Sequence, residues 1–245
     1  MEVHPIAALG FGSSADAYER GRPEYPSAAI GWLAQRVGLG QGMTVADLGA
    51  GTGKLSRPLA ATGARVIAVE PVADMRGAIG PGVEAVEGTA EAIPLLGGSA
   101  DVVTVGQAFH WFDGDAALAE IHRVLRPCGW LALLWNVRRR EDTIHVEIES
   151  LIEPHLGRVP RHRTGAWRGA FERTDLFGPL EEARFPFVQA LDANGLAARV
   201  GSISAIAALP DDERARVIAR ARSLAGSGRI ELRYDCEIEA TRRRG

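Results

Sequence analysis

Lysine is almost missing from this chain. Of its 28 basic residues only Lys54 is not arginine. That bias reads as the composition of a GC-rich genome, and it singles out no guanidinium by its abundance. Cysteine is scarce as well. Cys128 and Cys236 form no CxxC and no ligand-spaced pair, which excludes a zinc motif and a disulfide framework. Two reduced thiols and no bound metal are the expectation. No apolar run reaches the roughly 18 residues that a membrane-crossing helix requires. The opening MEVHPIAALGFG has no basic stretch followed by a long apolar one, so no secretory leader is expected, and a cytoplasmic setting is. Positive charge is not in excess. With 28 basic against 31 acidic residues the net charge is −3, which argues against attraction of the whole protein to nucleic acid or an anionic membrane. Neither is an expected partner.

What is present is ordinary globular composition, 46% hydrophobic and 24% charged over 245 residues. At roughly 100–200 residues per domain that length suits one large domain. The first 25 residues read as irregular. A helix is expected over 27–38, with Ser27 as its cap and Gly38 as its stop. Short apolar runs at 43–49, 64–70, 83–88, 100–107 and 129–137 then alternate with helical patterns at 55–63, 72–79 and 116–127, the last ended by Pro127. Four of those five runs carry Val or Leu on both faces. Strands of that kind, alternating with helices, predict a parallel sheet covered on both sides. After a charged break at 138–142 the pattern predicts helices at about 143–156, 166–174 and 211–225. A strand is expected at 185–191, and a final antiparallel strand at 228–240.

The strongest local signal is Asp47-Leu-Gly49-Ala50-Gly51-Thr-Gly53, directly after the first strand and opening a helix. Alternating glycines let the backbone turn tightly and let a ligand approach without Cβ atoms in the way. A P-loop is excluded because Leu48 and Leu55 stand where it needs glycine and a hydroxyl residue. The dinucleotide fingerprint GxGxxG fails at Lys54. The close GxGxG spacing, with an acid two residues ahead, suits a cofactor without a pyrophosphate. Lys54 itself is expected as a solvated first-turn residue, although its charge suits a helix N-terminus poorly.

From Thr44 to Asn136 the chain resembles the class I S-adenosylmethionine (SAM)-dependent methyltransferases, in particular those acting on small molecules. Four features in order carry the resemblance: the glycine loop, Glu70 closing the second strand, Gly88-Thr89-Ala90-Glu91 after the third, and Gly106-Gln107-Ala108-Phe109-His110-Trp111 after the fourth. The resemblance implies an α/β fold with a seven-stranded, mostly parallel sheet, its last strand antiparallel. It implies one methyltransferase domain over 1–245, divided into a cap segment at 1–40, a SAM-binding core at 41–137, and a helical insertion with C-terminal strands at 138–245. Glu70 would hold the two ribose hydroxyls, since a carboxylate has two acceptor oxygens for a vicinal diol. Asp47, Gly49, Ala50, Gly51 and Gly53 would form the loop around the methionine end. Pro71, Met75, Thr89, Ala90 and Glu91 would border the adenine, with Gln107 and Ala108 beside the methionine portion.

A sulfonium methyl is electrophilic in itself, so the protein needs alignment and dryness more than a nucleophile. His110 is the candidate base, its other reading being a pocket wall. Phe109 and Trp111 would wall the acceptor pocket with it. Tyr18 and Tyr25 of the early segment would border the pocket and close over SAM, and Arg20 would pair with the carboxylate of SAM or with an acidic substrate. Arg161, His162, Arg163 and Trp167 are further pocket candidates. The His-Trp pair is weakly similar to enzymes that esterify small polycarboxylates such as trans-aconitate. The expected reaction is methyl transfer from SAM to an O or N atom of a small molecule. A SAM-binding regulator without turnover and a nicotinamide oxidoreductase remain as alternatives.

Overall fold

Strands apolar on both faces need cover on both sides. In the computed structural model, which describes residues 15–139, 141–157, 160–226 and 228–245, helices supply it. The strands are β1 (Thr44–Leu48), β2 (Arg65–Val69), β3 (Glu84–Val86), β4 (Ala100–Gly106), β5 (Leu125–Arg138), β6 (Glu181–Leu191) and β7 (Ile230–Arg242). They form one seven-stranded sheet in the order β3-β2-β1-β4-β5-β7-β6. The five on the β3 side run parallel, and β7 lies antiparallel to both β5 and β6. The helices are α1 (Ala15–Gly21), α2 (Ser27–Val37), α3 (Ser56–Ala60), α4 (Ala73–Gly77), α5 (Gly114–Val124), α6 (Thr143–Leu156), α7 (Arg168–Glu172), α8 (Ala193–Gly201), α9 (Ser204–Ala207) and α10 (Asp211–Leu224).

Each face of the sheet has its own core. Leu118, Ile121 and Val124 of α5 pack with Val103, Leu131 and Leu133 on one side. Ile30, Leu33 and Val37 of α2 pack with Val45, Val102 and Ala132 on the other. A third cluster joins α6, α8, α9 and α10 to Leu232 and Tyr234 of β7. From β1 the chain steps outward to β2 and β3, then crosses back to β4 on β1's other side. That reversal leaves a crevice beyond the carboxyl ends of β1 and β4, where open α/β sheets bind ligands.

Several boundaries differ from the sequence reading. Gly38 does close α2, at φ 72°, but Pro26 occupies the cap position and Ser27 is the first helical residue. Residues 15–21, expected to be irregular, form α1. The weak apolar period of 193–201, diluted by two glycines, hid α8, which starts where Asp192 accepts the Gly195 N–H at 2.7 Å. Pro127 does not end α5. The helix stops at Val124, short of Arg126, the residue that Pro127 restricts, and Leu125 is already extended at ψ 139° as the first residue of β5. Arg140 of the charged break and residues 1–14 lie outside the described residues.

The turn inside β5 makes a testable point. Cys128 sits at φ 63°, where a residue with a Cβ is strained by roughly 1–2 kcal/mol. The resembling family usually has glycine at this position, and the angle explains why. Glycine's larger unfolded-state entropy offsets part of the relief. Cys128→Gly is therefore expected to stabilise by about 1 kcal/mol, or ~2–4 °C in Tm for a chain of this size. A thermal melt with Tm unchanged or lowered would contradict this.

Candidate active site

The crevice is built from the end of β1 outward. Asp47 is fully buried and accepts from Ser56 Oγ at 2.5 Å and Thr104 Oγ1 at 2.8 Å. Burial raises its pKa to about 6 against the lowering effect of those two hydrogen bonds. Gly49 and Gly51 follow at φ 61° and 58°. A Cβ on Gly49 would lie 2.9 Å from the Cβ of Ala108, so only glycine lets the loop and the end of β4 approach this closely. Glu70, 6% exposed at the end of β2, accepts the Gly51 N–H at 2.8 Å and the Val72 N–H at 2.9 Å. One carboxylate thus ties the glycine loop to the next βα turn. Burial raises its pKa as well.

Three hollows lie around this end of the sheet, and Tyr18 and Gln107 line all of them. The first is a cleft of about 810 Å³. Gly49, Gly51 and Glu70 form one wall; Pro71, Met75, Thr89, Ala90 and Glu91 form the far end; Ala108 and Trp111 complete it. Glu91 also accepts the backbone N–H of Asp113 at 3.0 Å, which pins the two loops together. The second hollow, about 460 Å³, runs under the loop past Asp47, Ala50, Tyr25 and Asn136. The third, about 1560 Å³, is lined by His110, Trp111, Trp135, Arg138 and helices of the C-terminal half. Gln107 holds φ 61°, an unusual angle for a residue with a side chain, and its amide Nε2 is buried with no partner among the described residues. Strain and an unmet donor at the junction of three hollows mark Gln107 as a ligand-facing position.

Some candidates lie elsewhere. Gly53, at φ 82°, lines none of the three hollows and backs onto Ile79, so it serves the turn. Phe109 is 1% exposed and packs among Phe112, Trp167 and Phe171. The 3₁₀ turn Phe109–Trp111 aims it into the core and its two successors into the cavity. Arg20 is exposed and borders a separate hollow between α1, α8 and α10. Arg22 takes the place expected of it, because residues four apart share a helical face and residues two apart do not. Its guanidinium lies 5.3 Å from the Tyr18 ring. Trp167 is a core residue under the third hollow, 5.7 Å from Trp135, which stacks on His162 at 4.3 Å. His162, Arg161 and Arg163 do line that hollow.

Lys54 is not solvated. It is 5% exposed, pairs with Glu24 and approaches Glu19 at 3.8 Å. Glu19 also accepts from Arg57 at 2.5 Å and from Thr52 Oγ1 at 2.6 Å. This network latches the early segment onto the glycine loop and holds Tyr18 and Tyr25 over the crevice. The hydroxyl of Tyr25 lies where a Cβ on Gly106 would be, 2.5 Å away. His110 sits in the third hollow with its pKa lowered to about 3, first by burial, then by His162 and Arg22. Its imidazole is neutral near pH 7 and a feeble proton acceptor. Arg22, Arg138, Arg199 and Trp135 line the hollow without having been singled out as pocket residues. Only Arg22, four residues after Tyr18, carried a local signal. Among the described residues no three side chains are grouped to hold a metal, and no helix is long and apolar enough to cross a membrane.

A cleft at the switch point, an acid on its rim and a glycine loop of neither the P-loop nor the GxGxxG spacing define a Rossmann-like protein. The comparisons agree. A model of the methyltransferase domain matches residues 46–133. An uncharacterized methyltransferase-like protein of Schizosaccharomyces pombe is 34% identical over 214 residues, 85% of this chain and 82% of the relative. An uncharacterized methyltransferase of Mycobacterium tuberculosis is 50% identical over 135 residues, so the chain spans about half the length of that relative, 54% of each. A solved structure from Anaeromyxobacter dehalogenans, proposed to be a type II methyltransferase, superposes with a TM-score of 0.65 at 28% identity. The match covers 91% of this chain and 97% of that one. The chain belongs to the class I SAM-dependent methyltransferases.

Proposed function

We propose that this protein transfers a methyl group from SAM to an oxygen or nitrogen atom of a small molecule. One observation carries the reading: the cleft built on Glu70 and the glycine loop shares Tyr18, Gln107 and Trp111 with a separate larger hollow. A donor and an acceptor can then meet at a shared wall. The residues present suit the donor. Glu70 has lone pairs to spare for a ribose diol, Met75 and Pro71 offer apolar surface to a purine, and the unmet Gln107 amide awaits an acceptor. SAM supplies an electrophilic methyl on a sulfonium sulfur. Asp47, Gly49 and Ala50 lie where the amino-acid end would sit, and Thr89, Ala90, Glu91 and Ala108 enclose the rest. Tyr18 and Tyr25 cover the reactants and exclude water. His110 and Trp111 line the acceptor side. An imidazole with a pKa of about 3 is a poor general base, which favours an acceptor atom that is nucleophilic without being deprotonated by it.

The test begins with calorimetric titration of S-adenosylhomocysteine (SAH), with NAD in parallel. Micromolar binding of SAH alone supports the reading, and binding of NAD alone overturns it. Product formation from labelled SAM in an acceptor screen separates an enzyme from a binder without turnover. The titration should also depend on pH. A ligand ammonium beside Asp47 favours its ionised form, while acid protonates it near its pKa of about 6. SAH affinity is therefore expected to rise severalfold from pH 5 to pH 7. A flat profile would remove Asp47 from the contact set.

A further inference from the structure

The larger hollow holds arginines that form no ion pair among the described residues. Arg199, from α8, is 7% exposed. Its Nε reaches the Tyr234 hydroxyl at 3.2 Å, but its Nη1 is buried with no partner among the described residues. Arg138, at the end of β5, likewise buries an Nη1 with no partner. Among the described residues Arg22 donates to uncharged oxygens of Ser202, at 3.1 and 2.8 Å. Burial lowers the pKa of Arg22 to about 10, with Arg199 adding to it, and burial and Arg199 act on Arg138 in the same direction.

Rim charges on the same hollow are already matched. Arg161 pairs with Glu153, and Arg163 with Glu149 and Glu153. Glu149 is the acid that lines the hollow, and it is engaged there. Three guanidiniums converge on this hollow, and among the described residues none of them forms an ion pair, Glu149 acting on Arg138 only as a nearby charge; such clustered, largely desolvated positive charge costs the fold stability. A ligand that supplies the negative charge removes that cost. The planar forks of arginine suit carboxylate and phosphate oxygens. Trp135, Ile152 and Leu156 beside them offer apolar surface for the ligand's carbon skeleton.

We propose that Arg22, Arg138 and Arg199 form an anion-binding subsite that anchors a carboxylate- or phosphate-bearing end of the methyl acceptor. The inference deepens the methyl-transfer reading and rests on it for the word acceptor. Anchored there, the acceptor's other end reaches Gln107 and Trp111 at the shared wall. The anion holds the molecule in place and undergoes no bond change.

Arg138 lines the larger hollow and neither of the other two, which makes it the residue to change. Wild type, Arg138→Gln and Arg138→Lys are titrated with citrate, inorganic phosphate and uncharged glycerol, at constant ionic strength, with and without saturating SAH. Expected is saturable binding of citrate or phosphate, not of glycerol. Arg138→Gln should weaken it about tenfold or more and Arg138→Lys should restore part of it, as loss of a charge-assisted hydrogen bond predicts. SAH affinity should stay within about twofold in both variants. Preference for citrate or for phosphate names the anchored group. The proposal is overturned if neither anion binds, or if Arg138→Gln binds them as wild type does. Failure of SAH to bind would instead strike the cofactor reading, and the anion titrations without SAH would still decide the subsite. Thermal melts of each variant show that it is folded.

Discussion

Glu70→Ala is expected to weaken SAH binding about 100-fold. The carboxylate does two things at once. Toward the protein it holds the N–H groups of Gly51 and Val72. Toward the cleft it presents its remaining lone pairs. Hydrogen bonds to a charged group contribute roughly 1.5–3 kcal/mol each, so the loss of a diol contact alone exceeds tenfold. Release of the glycine loop adds to it, because Gly51 is then free to leave the geometry the ligand requires. Glu70→Gln keeps the size and one carbonyl oxygen, and should lose closer to tenfold. Calorimetry on both variants, with circular dichroism as a check of folding, measures this. SAH affinity within threefold of wild type for the alanine variant would sink the assignment of Glu70 and of the cleft around it.

The second large effect is on stability. Trp135 is fully buried near the end of β5. It stacks on His162, touches His110, and lies against Trp167, itself packed on Phe109. Trp135→Ala removes the ring these aromatics share and is expected to cost about 4 kcal/mol, the usual range for deleting a buried large aromatic. In a chain of this size that lowers Tm by roughly 10 °C. Trp135→Phe makes the argument sharper. The indole Nε1 is buried with no acceptor among the described residues, so phenylalanine sheds an unmet donor while keeping most of the surface. It should cost less than about 2 kcal/mol. Equal losses from the two variants would show that the ring's packing is not what matters. SAH affinity, which depends on the other cleft, should barely change in either.

The parallel sheet, the glycine loop and the place of Glu70 were legible in the sequence because each is written locally. Val and Leu on both faces of a short run mean burial on both faces, whatever else the chain does. Glycine at 49 and 51 and an acid closing the next strand meet because β1 and β2 are parallel neighbours in register, Leu48 beside Val69. The lining of the larger hollow was not legible. Arg22 and Ser202 are 180 positions apart and meet only because α1 crosses α8, where a Cβ on Gly21 would lie 2.4 Å from the backbone of Ala198. Arg20 and Arg22, or Phe109 and His110, are near equals as residue types. Which of each pair faces the cavity depends on the phase of a helix or a 3₁₀ turn against its neighbours. Lys54 carried a warning in its sequence position, but its partners Glu19 and Glu24 belong to a different segment. Local pattern thus determined the fold class and the cleft on the glycine loop, since both follow from the period of short segments. Only tertiary packing decided where the arginines converge, because a cluster drawn from the residue after α1, from β5 and from α8 has no period in the chain.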